Sequence, residues 1–297
     1  MRVAVIGANG QLGTDVAEEF TRNGGEVSSF SHDDIEISSM DSVRTALGPA
    51  LPELIVNTAA MHNVEKCEQE LAQAYAVNAI GARNLAATAR ELEAVLIHVS
   101  TDYVFDGSKG KPYVETDPAV PLNVYGITKL AGELFIRATT DRYFILRTSA
   151  LYGRSPCRAK AGRNFVDLML KLAGERDQIS VVTDEVVSPT YTMDLAKQIV
   201  MLSGTNQFGL YHATAEGSCT WHEFAKMIFE LTNSKVNLRV AAPNEFPGKV
   251  RRPKYSVLEN QRLKTLGVNS FQSWEDGLKS YLESTHRMDQ ARVTSAS

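Results

Sequence analysis

The sequence predicts an α/β protein with a doubly wound parallel sheet of the Rossmann type and a smaller α/β substrate-binding lobe. Short apolar, β-branched runs alternate with helical patterns through the first half of the 297 residues. Polar residues do not interrupt these runs, which is typical of parallel strands covered on both faces. A glycine-rich turn joins the first run to the first helical pattern, as in dinucleotide-binding folds.

The first half supplies the sheet. Its predicted strands are Val3–Ile6, Glu26–Phe30, Leu54–Val56, Val95–Val99 and Tyr143–Arg147. Its predicted helices are Gln11–Thr21, Ser42–Leu47, Gln69–Glu91 and Val124–Ala138. Because crossovers in such a sheet are right-handed, the loops after the strands lie along one edge, where ligands bind. We therefore assign residues 1–150 to a dinucleotide-binding domain.

The alternation loosens after residue 150. Residues 151–285 are predicted to form the substrate-binding lobe, interleaved with late elements that return to the sheet. The strand candidates are Ser180–Val182 and Gly209–Tyr211, and the helix candidates are Phe165–Ala173, Met193–Leu202, Trp221–Leu231 and Trp274–Ser284. Residues 286–297, HRMDQARVTSAS, lack a pattern and are predicted to be a flexible tail.

Composition narrows the class of protein. A net charge of −4 and a pI near 5.9 argue against nucleic acid or an anionic membrane as the main partner. The apolar amino-terminal run is too short for a signal peptide, and no later run approaches a membrane span. Cys67, Cys157 and Cys219 have neither paired nor metal-site spacing, so we expect reduced thiols, no bound metal and a cytoplasmic location.

The glycine turn predicts a dinucleotide site. Gly7, Gly10 and Gly13 have the spacing GxxGxxG between the first strand and the first helix. Such a turn lets the backbone approach a pyrophosphate and aims a helix amino terminus at its charge. Its place at the start of a series of strand–helix units makes the signal specific.

The end of the second strand bears on the choice of cofactor. Ser31 and His32 stand where an acid that accepts from the adenosine ribose is expected, and Asp33 and Asp34 come slightly late. Without an acid in register a 2′-phosphate is tolerated. The sequence therefore favours NADPH and leaves NADH open.

A tyrosine and a lysine four residues apart predict proton chemistry. Tyr125 and Lys129 follow Asn123, which can cap the helix. The apolar residues of this helix form a separate face, typical of a side that packs on a core: Val124, Ile127, Leu130, Ala131, Leu134 and Phe135. An ammonium ~4 Å from a phenol lowers its pKa by ~2–3 units, which suits a general acid. The alternative is a core tyrosine beside a snorkelling lysine.

The fourth strand ends in Ser100, Thr101 and Asp102, at the ligand-binding edge. A hydroxyl at this point can hydrogen-bond a substrate carbonyl together with the tyrosine. Alone, such a strand end is usually a turn or a cap. Combined with Tyr125 and Lys129, it predicts a catalytic constellation.

These segments together resemble the extended short-chain dehydrogenase/reductase family, and within it the dTDP-4-dehydrorhamnose reductases. The resemblance covers almost the whole chain and is carried by the segments GANGQLG, STDYVFDG, PLNVYGITKLAGE, RTSALYG, SPTYTMDLA and RRPKYSVLEN. It implies NADPH-dependent reduction of the C4 keto group of a nucleotide-linked 6-deoxy-4-keto sugar.

The resemblance also implies roles for single residues. Thr101, Tyr125 and Lys129 would be the catalytic residues. The cofactor would bind at Gly7, Asn9, Gly10, Gln11, Leu12, Ser31, His32, Glu36, Ile37, Ala59, Ala60, Met61, Tyr125 and Lys129. The nucleotide sugar would bind at Asp102, Tyr103, Asn164 and Arg252.

One departure leaves the sugar open. Ala150 follows RTS, where the family carries a bulky aromatic residue thought to pack on the sugar. Two alternatives therefore remain: a nucleotide-sugar epimerase or dehydratase with tightly bound NAD, and a cofactor-binding regulatory subunit like that of methionine adenosyltransferase. A homodimer is compatible with either class.

Some smaller signals have two readings. The segment KVRRPKYS is rich in basic residues, which form either a solvated face or a site for a nucleotide diphosphate. They are Lys249, Arg251, Arg252 and Lys254. His98, inside an apolar strand, is expected to be a satisfied core residue rather than a base.

Overall fold

The computed structural model describes residues 1–156, 162–242, 245–246 and 250–294, with side chains up to residue 285. Its strands are β1 (Arg2–Ile6), β2 (Glu26–Phe30), β3 (Leu54–Asn57), β4 (Val95–Thr101), β5 (Tyr143–Thr148), β6 (Leu151–Tyr152), β7 (Gln178–Val181), β8 (Val186–Val187), β9 (Thr190–Tyr191), β10 (Gly209–His212), β11 (Cys219–Thr220) and β12 (Asn237–Val240). Its α-helices are α1 (Gln11–Arg22), α2 (Met40–Ala50), α3 (Val64–Gln69), α4 (Leu71–Tyr75), α5 (Gly81–Glu91), α6 (Val124–Thr139), α7 (Phe165–Glu175), α8 (Thr192–Ser203), α9 (Trp221–Leu231), α10 (Gln261–Thr265) and α11 (Trp274–Thr294).

A six-stranded parallel sheet forms the centre, in the order β10-β5-β4-β3-β1-β2. The predicted fold class is confirmed. The order reverses direction between β1 and β3, and loops that follow the strands meet at the carboxyl edge there. Strand β10 comes late in the chain and joins the edge beside β5, as the sequence predicts for elements that return to the sheet.

Apolar residues cover both faces of the sheet because β1, β3 and most of β4 and β5 are apolar. All four residues of β3 are buried, and helices α1 and α8 cover one face while α2 and α5 cover the other. A second core, with Tyr152, Phe224 and Leu278 among its members, lies in the later half of the chain. The domain boundary at residue 150 stays a prediction.

The predicted helix Gln69–Glu91 is wrong as a single element. The chain forms α3, α4, a π-helical turn over Ala76–Ile80, and then α5. The break comes at Glu70, whose backbone leaves the helical region between α3 and α4. The π turn contains Asn78, whose side chain hydrogen-bonds the backbone of Met61. Single π turns inside α-helices are frequent at functional sites.

Helix α6 begins where the sequence predicts, but it turns the opposite face inward. Asn123 caps it by accepting a hydrogen bond from the Gly126 amide at 2.9 Å. Three residues of the predicted apolar face are exposed: Ile127 at 40%, Leu134 at 54% and Phe135 at 37%. The buried face consists of small and polar residues together with one apolar residue: Gly126, Thr128, Lys129, Gly132, Glu133 and Ile136. The expected packing face is therefore corrected.

Two glycines explain why the polar face of α6 packs inward. A Cβ on Gly126 would lie 2.2 Å from the Tyr103 carbonyl oxygen, and one on Gly132 would lie 2.4 Å from the Asn78 carbonyl oxygen. Close approach of the backbones thus fixes the orientation of α6 and carries Tyr125 and Lys129 to the edge of the sheet.

The carboxyl-terminal helix α11 extends to Thr294, so residues 286–294, predicted as tail, are helical. Flexibility of this segment stays a prediction. Among the described residues, no helix combines the length and apolar character needed to cross a bilayer.

Candidate active site

A cleft of about 650 Å³ opens at the carboxyl edge of the sheet, and the loops after β1, β2, β3, β4 and β5 line it. The structure brings every predicted site residue to this cleft. They are Gly7, Asn9, Gly10, Gln11, Leu12, Ser31, His32, Glu36, Ile37, Ala59, Ala60, Met61, Thr101, Asp102, Tyr103, Tyr125, Lys129, Asn164 and Arg252.

The glycine turn forms one wall of the cleft. Gly7 has φ +79°, and a Cβ there would lie 2.9 Å from the Ala59 amide nitrogen. A Cβ on Gly13 would lie 2.1 Å from the Gly7 carbonyl oxygen, so α1 packs directly on the turn. Helix α1 starts after Gly10 without a side-chain cap or an acid in its first turn. Its amino terminus therefore suits the negative charge of a diphosphate.

The segment after β2 contributes no aspartate to the cleft lining. The Asp34 carboxylate turns back to Ser31 and accepts from its amide at 2.7 Å and its hydroxyl at 2.6 Å. Glu36 accepts from the amide and hydroxyl of Ser38. Exposed His32 lines the cleft at this point together with Glu36, whose carboxylate lies 3.9 Å from the imidazole Nδ1.

Asn78 holds the segment after β3. Its amide oxygen accepts from the Met61 amide at 2.9 Å, and its amide nitrogen donates to the Met61 carbonyl at 3.0 Å. The same nitrogen donates to Thr128 on α6 at 3.1 Å. Loop and helix are thereby fixed relative to each other on either side of the cleft.

Thr101 and Tyr125, two of the predicted catalytic residues, lie next to each other in the cleft. Tyr125 is half-buried, and its hydroxyl hydrogen-bonds Thr101 at the end of β4. Burial raises the pKa of the Tyr125 phenol well above its ordinary value, and the Thr101 hydroxyl opposes that shift in part. This direction is opposite to the lowering that the tyrosine–lysine spacing predicts. The phenol consequently keeps its proton at neutral pH.

Asp102 begins a short 3₁₀ turn, Asp102–Val104, and is buried. Its carboxylate accepts from three hydroxyls: Ser149 at 2.8 Å, Ser256 at 2.5 Å and Thr101 at 3.1 Å. Burial raises the pKa of Asp102 to about 6, although the hydroxyls counteract it. Asp102 therefore positions Thr101, and its side chain is engaged within the protein.

Lys129 is 2% exposed and lines the cleft from α6. Its Nζ donates to the Val99 carbonyl oxygen at 2.7 Å and lies 3.0 Å from His98 Nε2. Burial lowers the pKa of Lys129 to about 8, and Glu133 opposes this effect. His98 is buried and contacts neighbours through both ring nitrogens, which confirms that it is a satisfied core residue.

Gly153 joins the two sides of the cleft. Its carbonyl oxygen accepts from the Gln11 side chain at 3.1 Å and from the Asn164 side chain at 3.0 Å. Asn164 also caps α7 by accepting from the Asp167 amide at 3.0 Å. The first residue of α1 and the cap of α7 thus share one acceptor.

Aromatic and charged residues line the far end of the cleft. Tyr103 packs edge-on against Tyr125, with ring centroids 5.9 Å apart. Arg252 forms an ion pair with Glu65 at 2.5 Å. Phe165 and Trp221 lie with ring centroids 4.6 Å apart. Ala150, with φ +46°, lines the same cleft.

Two residues singled out in the sequence, Cys157 and Lys249, lie outside the described residues. Within the described part of the chain, no three His, Cys, Asp or Glu side chains come together as a metal site.

Comparison with known proteins agrees with this geometry. The model of the RmlD substrate binding domain matches residues 1–287. The chain belongs to this family.

Members of the family with similar sequences cover nearly the whole chain. The Bacillus subtilis (strain 168) spore coat polysaccharide biosynthesis protein SpsK is 38% identical, over 95% of this chain and 97% of its own. The dTDP-4-dehydrorhamnose reductase of Streptomyces griseus is 37% identical, over 93% and 91% of the two chains. The crystal structure of the Bacillus anthracis str. Ames dTDP-4-dehydrorhamnose reductase in complex with NADP is 40% identical, with a TM-score of 0.91 over 95% of this chain and 99% of its own. The predicted resemblance is confirmed.

The sequence did not reveal several residues that shape the site of this RmlD-family protein. Asn78, Asn57 and Ser256 hold its loops through hydrogen bonds between distant positions. A polar residue inside an apolar helical stretch, as in AYAVNAIGA, is the signal that points to Asn78.

Proposed function

We propose that this protein is an NADPH-dependent oxidoreductase that reduces the C4 keto group of a dTDP-linked 6-deoxy-4-keto sugar. One observation carries the proposal: Thr101, Tyr125 and Lys129 meet at the same cleft as the glycine turn. The names of the relatives, dTDP-4-dehydrorhamnose reductase and dTDP-4-keto-6-deoxy-D-glucose reductase among them, support this substrate class.

The residues present fit a dinucleotide. The uncapped start of α1 and the turn at Gly7 would hold the pyrophosphate, because the helix amino terminus is free of side-chain caps and the turn has the positive φ that glycine allows. Ser31 and His32 would accept the 2′-phosphate that distinguishes NADPH. The related Bacillus anthracis reductase was crystallised with NADP, which supports the same choice here.

The chain's own groups would handle the proton and the substrate oxygen. When bound, NADPH supplies a hydride. Tyr125 keeps its phenolic proton at neutral pH and would donate it from Oη to the keto oxygen as that oxygen gains charge. Thr101 donates its one hydroxyl proton to Asp102 in this structure, and it would turn that proton to the same keto oxygen when substrate binds. Lys129 would hold the ribose hydroxyls next to Tyr125.

The far end of the cleft would hold the nucleotide. Arg252 would contact the diphosphate, with Glu65 restricting its position, and Asn164 and Tyr103 would lie along the sugar. Phe165 and Trp221 offer an aromatic surface on the same side. With Ala150 in place of an aromatic residue, a bulkier or differently oriented sugar can be accommodated.

The decisive experiment replaces Tyr125 with Phe. The variant should lose about 100-fold or more of kcat in the NADPH-consuming assay at 340 nm with dTDP-4-keto-6-deoxy sugars, while NADPH binding is kept. Tyr143→Phe, in β5 and outside the cleft lining, is the matched control and should retain activity.

The same variant separates the two alternatives. A regulatory subunit would bind NADPH and show no turnover in either form. An epimerase or dehydratase would retain NAD through purification and convert sugar without net consumption of NADPH. Absence of NADPH oxidation by the wild-type protein with every dTDP-4-keto-6-deoxy sugar would overturn the proposal.

The cytoplasmic location and the homodimer predicted from the sequence stay predictions. Light scattering coupled to size-exclusion chromatography measures the oligomeric state directly.

A further inference from the structure

A chain of hydrogen bonds runs behind Lys129 into the core. The Ala59 amide donates to Asn57 Oδ1 at 3.0 Å. Asn57 Nδ2 lies 2.9 Å from His98 Nδ1, and His98 Nε2 lies 3.0 Å from Lys129 Nζ. Lys129 Nζ then donates to the Val99 carbonyl at 2.7 Å. Asn57 and His98 are each 1% exposed, so protein groups have to satisfy these atoms.

The Ala59 amide fixes the direction of the chain at Asn57. A backbone N–H is a donor only, so the Asn57 atom that faces it has to be the oxygen. The Asn57 atom that faces His98 is therefore the NH₂ group, also a donor. His98 Nδ1 consequently has to accept, and it carries no proton.

The tautomer of His98 follows. Burial keeps the pKa of His98 well below its ordinary value, so the ring is neutral and carries one N–H. With Nδ1 unprotonated, that hydrogen lies on Nε2 and points at Lys129 Nζ. An ammonium has three donors and no acceptor, so it would face a second donor there. A neutral amine has a lone pair and completes the chain with every group satisfied.

We propose that Asn57 and His98 are positioning residues that offer Lys129 a donor and so hold its nitrogen as a neutral amine whenever it lies against His98. Gain of a proton by Lys129 removes its lone pair and ends that contact. The ammonium then turns to the cleft. Of its two contacts within the protein it keeps the one to the Val99 carbonyl oxygen. Protonation and position of Lys129 are thereby coupled.

Other charged and titratable groups near Lys129 do not alter this proton count. Glu133, one turn along α6, is bonded to Arg147 of β5 and to Ser100 of β4. Tyr125 and the Cys67 thiol have pKa values raised by burial, so both keep their protons where Lys129 titrates. Asp102 is ionised there and is bonded to hydroxyls.

The coupling has a consequence for the reaction. It rests on the proposed role of Lys129 toward the cofactor ribose. An enzyme that binds NADPH through an ammonium would take up one proton from solvent at Lys129 above about pH 8, where the amine is neutral. Asn57 and His98 would set this proton count without touching substrate or cofactor.

The first test reads the His98 tautomer by nitrogen NMR of ¹⁵N-histidine-labelled protein at pH 9.5. His98 is assigned by loss of its signal in His98→Gln. We expect the Nε2–H tautomer in the wild type, and a shift of its signals centred near pH 8 as Lys129 gains a proton. An Nδ1–H tautomer at pH 9.5 would overturn the proposal, whatever the protein binds or reduces.

The second test reverses the direction of the chain. Asn57→Asp has almost the same shape, and its carboxylate accepts from both the Ala59 amide and His98 Nδ1–H, which frees Nε2 to accept from an ammonium. We expect the Nδ1–H tautomer and an alkaline limb of kcat/KM for NADPH moved to higher pH. Asn233→Asp adds the same charge at an exposed turn and should change neither readout.

A persistent Nε2–H tautomer in Asn57→Asp would contradict the proposal. If that variant fails to fold, the wild-type titration still decides. If the wild type shows the expected tautomer but no NADPH oxidation, the proton chain stands and the proposed function fails.

Discussion

Two buried basic side chains on neighbouring elements have different kinds of partner, a carboxylate in one case and neutral groups in the other. Arg147 of β5 meets Glu133 of α6 through two hydrogen bonds, at 3.0 and 2.7 Å, with both side chains under 5% exposed. Lys129, one turn before Glu133, bonds to a neutral imidazole and a backbone carbonyl. The first pair is a fixed charge pair that anchors α6 to the sheet. The second leaves the charge of its nitrogen free to change, which is what a group working at a cofactor requires.

The largest effect is expected from breaking the anchored pair. Glu133→Gln leaves the Arg147 guanidinium buried without its carboxylate, which should lower the free energy of unfolding by about 3–5 kcal/mol. Urea denaturation measures this loss. Glu230→Gln, in an exposed pair with Lys226, is the control and should change the value by less than about 0.5 kcal/mol. Equal effects of the two substitutions would contradict the prediction, because they would mean that another group neutralises the buried charge of Arg147.

Removing the other cation should affect turnover instead of folding. Lys129→Met deletes a buried amine that has no bonded carboxylate, so the free energy of unfolding at pH 7 should stay equal or rise. The value of kcat/KM for NADPH should fall by about 100-fold because the ribose contact and the cation beside Tyr125 are lost. If the Lys129→Met protein unfolds at a lower urea concentration than the Glu133→Gln protein, the expectation that Lys129 contributes less to stability than Glu133 is wrong.

The pH dependence of stability sharpens the contrast. The folded-state pKa of Lys129 is about 8 against an ordinary 10.5, so between these values the unfolded chain holds more protons. The free energy of unfolding of the wild type should therefore rise with pH from 8 to 10, by about 2–3 kcal/mol relative to Lys129→Met. Parallel urea series at four pH values measure the difference. A constant difference would show that Lys129 titrates normally.

Asp102 is a third buried charge, held by hydroxyls, and it should give the smallest effect. Its pKa is raised from 3.8 to about 6, so the folded state holds more protons between these values. Stability contributed by this group is complete below pH 4 and is lost as the pH rises through 6. Relative to Asp102→Asn, the wild type should lose about 2 kcal/mol from pH 4 to 7. A gain in that range would contradict the assignment.

The sequence predicted the parts of the site that depend on local pattern. The strand ends, the turn at Gly7 and the cap at Asn123 follow from short-range rules, and each lies where it was expected. The family resemblance assigned roles to single residues, and the structure places these residues along one cleft. Their binding and catalytic roles remain proposals.

The parts that were missed depend on contacts between distant residues. His98 meets Lys129 across 31 positions and Asn57 across 41, and no periodicity records such pairs. The inward face of α6 was assigned wrongly because hydrophobicity was taken as the guide. Close backbone contacts at Gly126 and Gly132, which need the absence of a side chain, set that face instead.

The shared acceptor at Gly153 restricts how α1 and α7 can separate. A Cβ on this residue would lie 2.0 Å from Thr192 Oγ1, so the backbone is already seated against α8. Separating α1 from α7 stretches two hydrogen bonds that end on one oxygen, and the motion that keeps both is a rotation about that atom. Both contacts therefore depend on the position of one carbonyl group, which the close approach to α8 fixes.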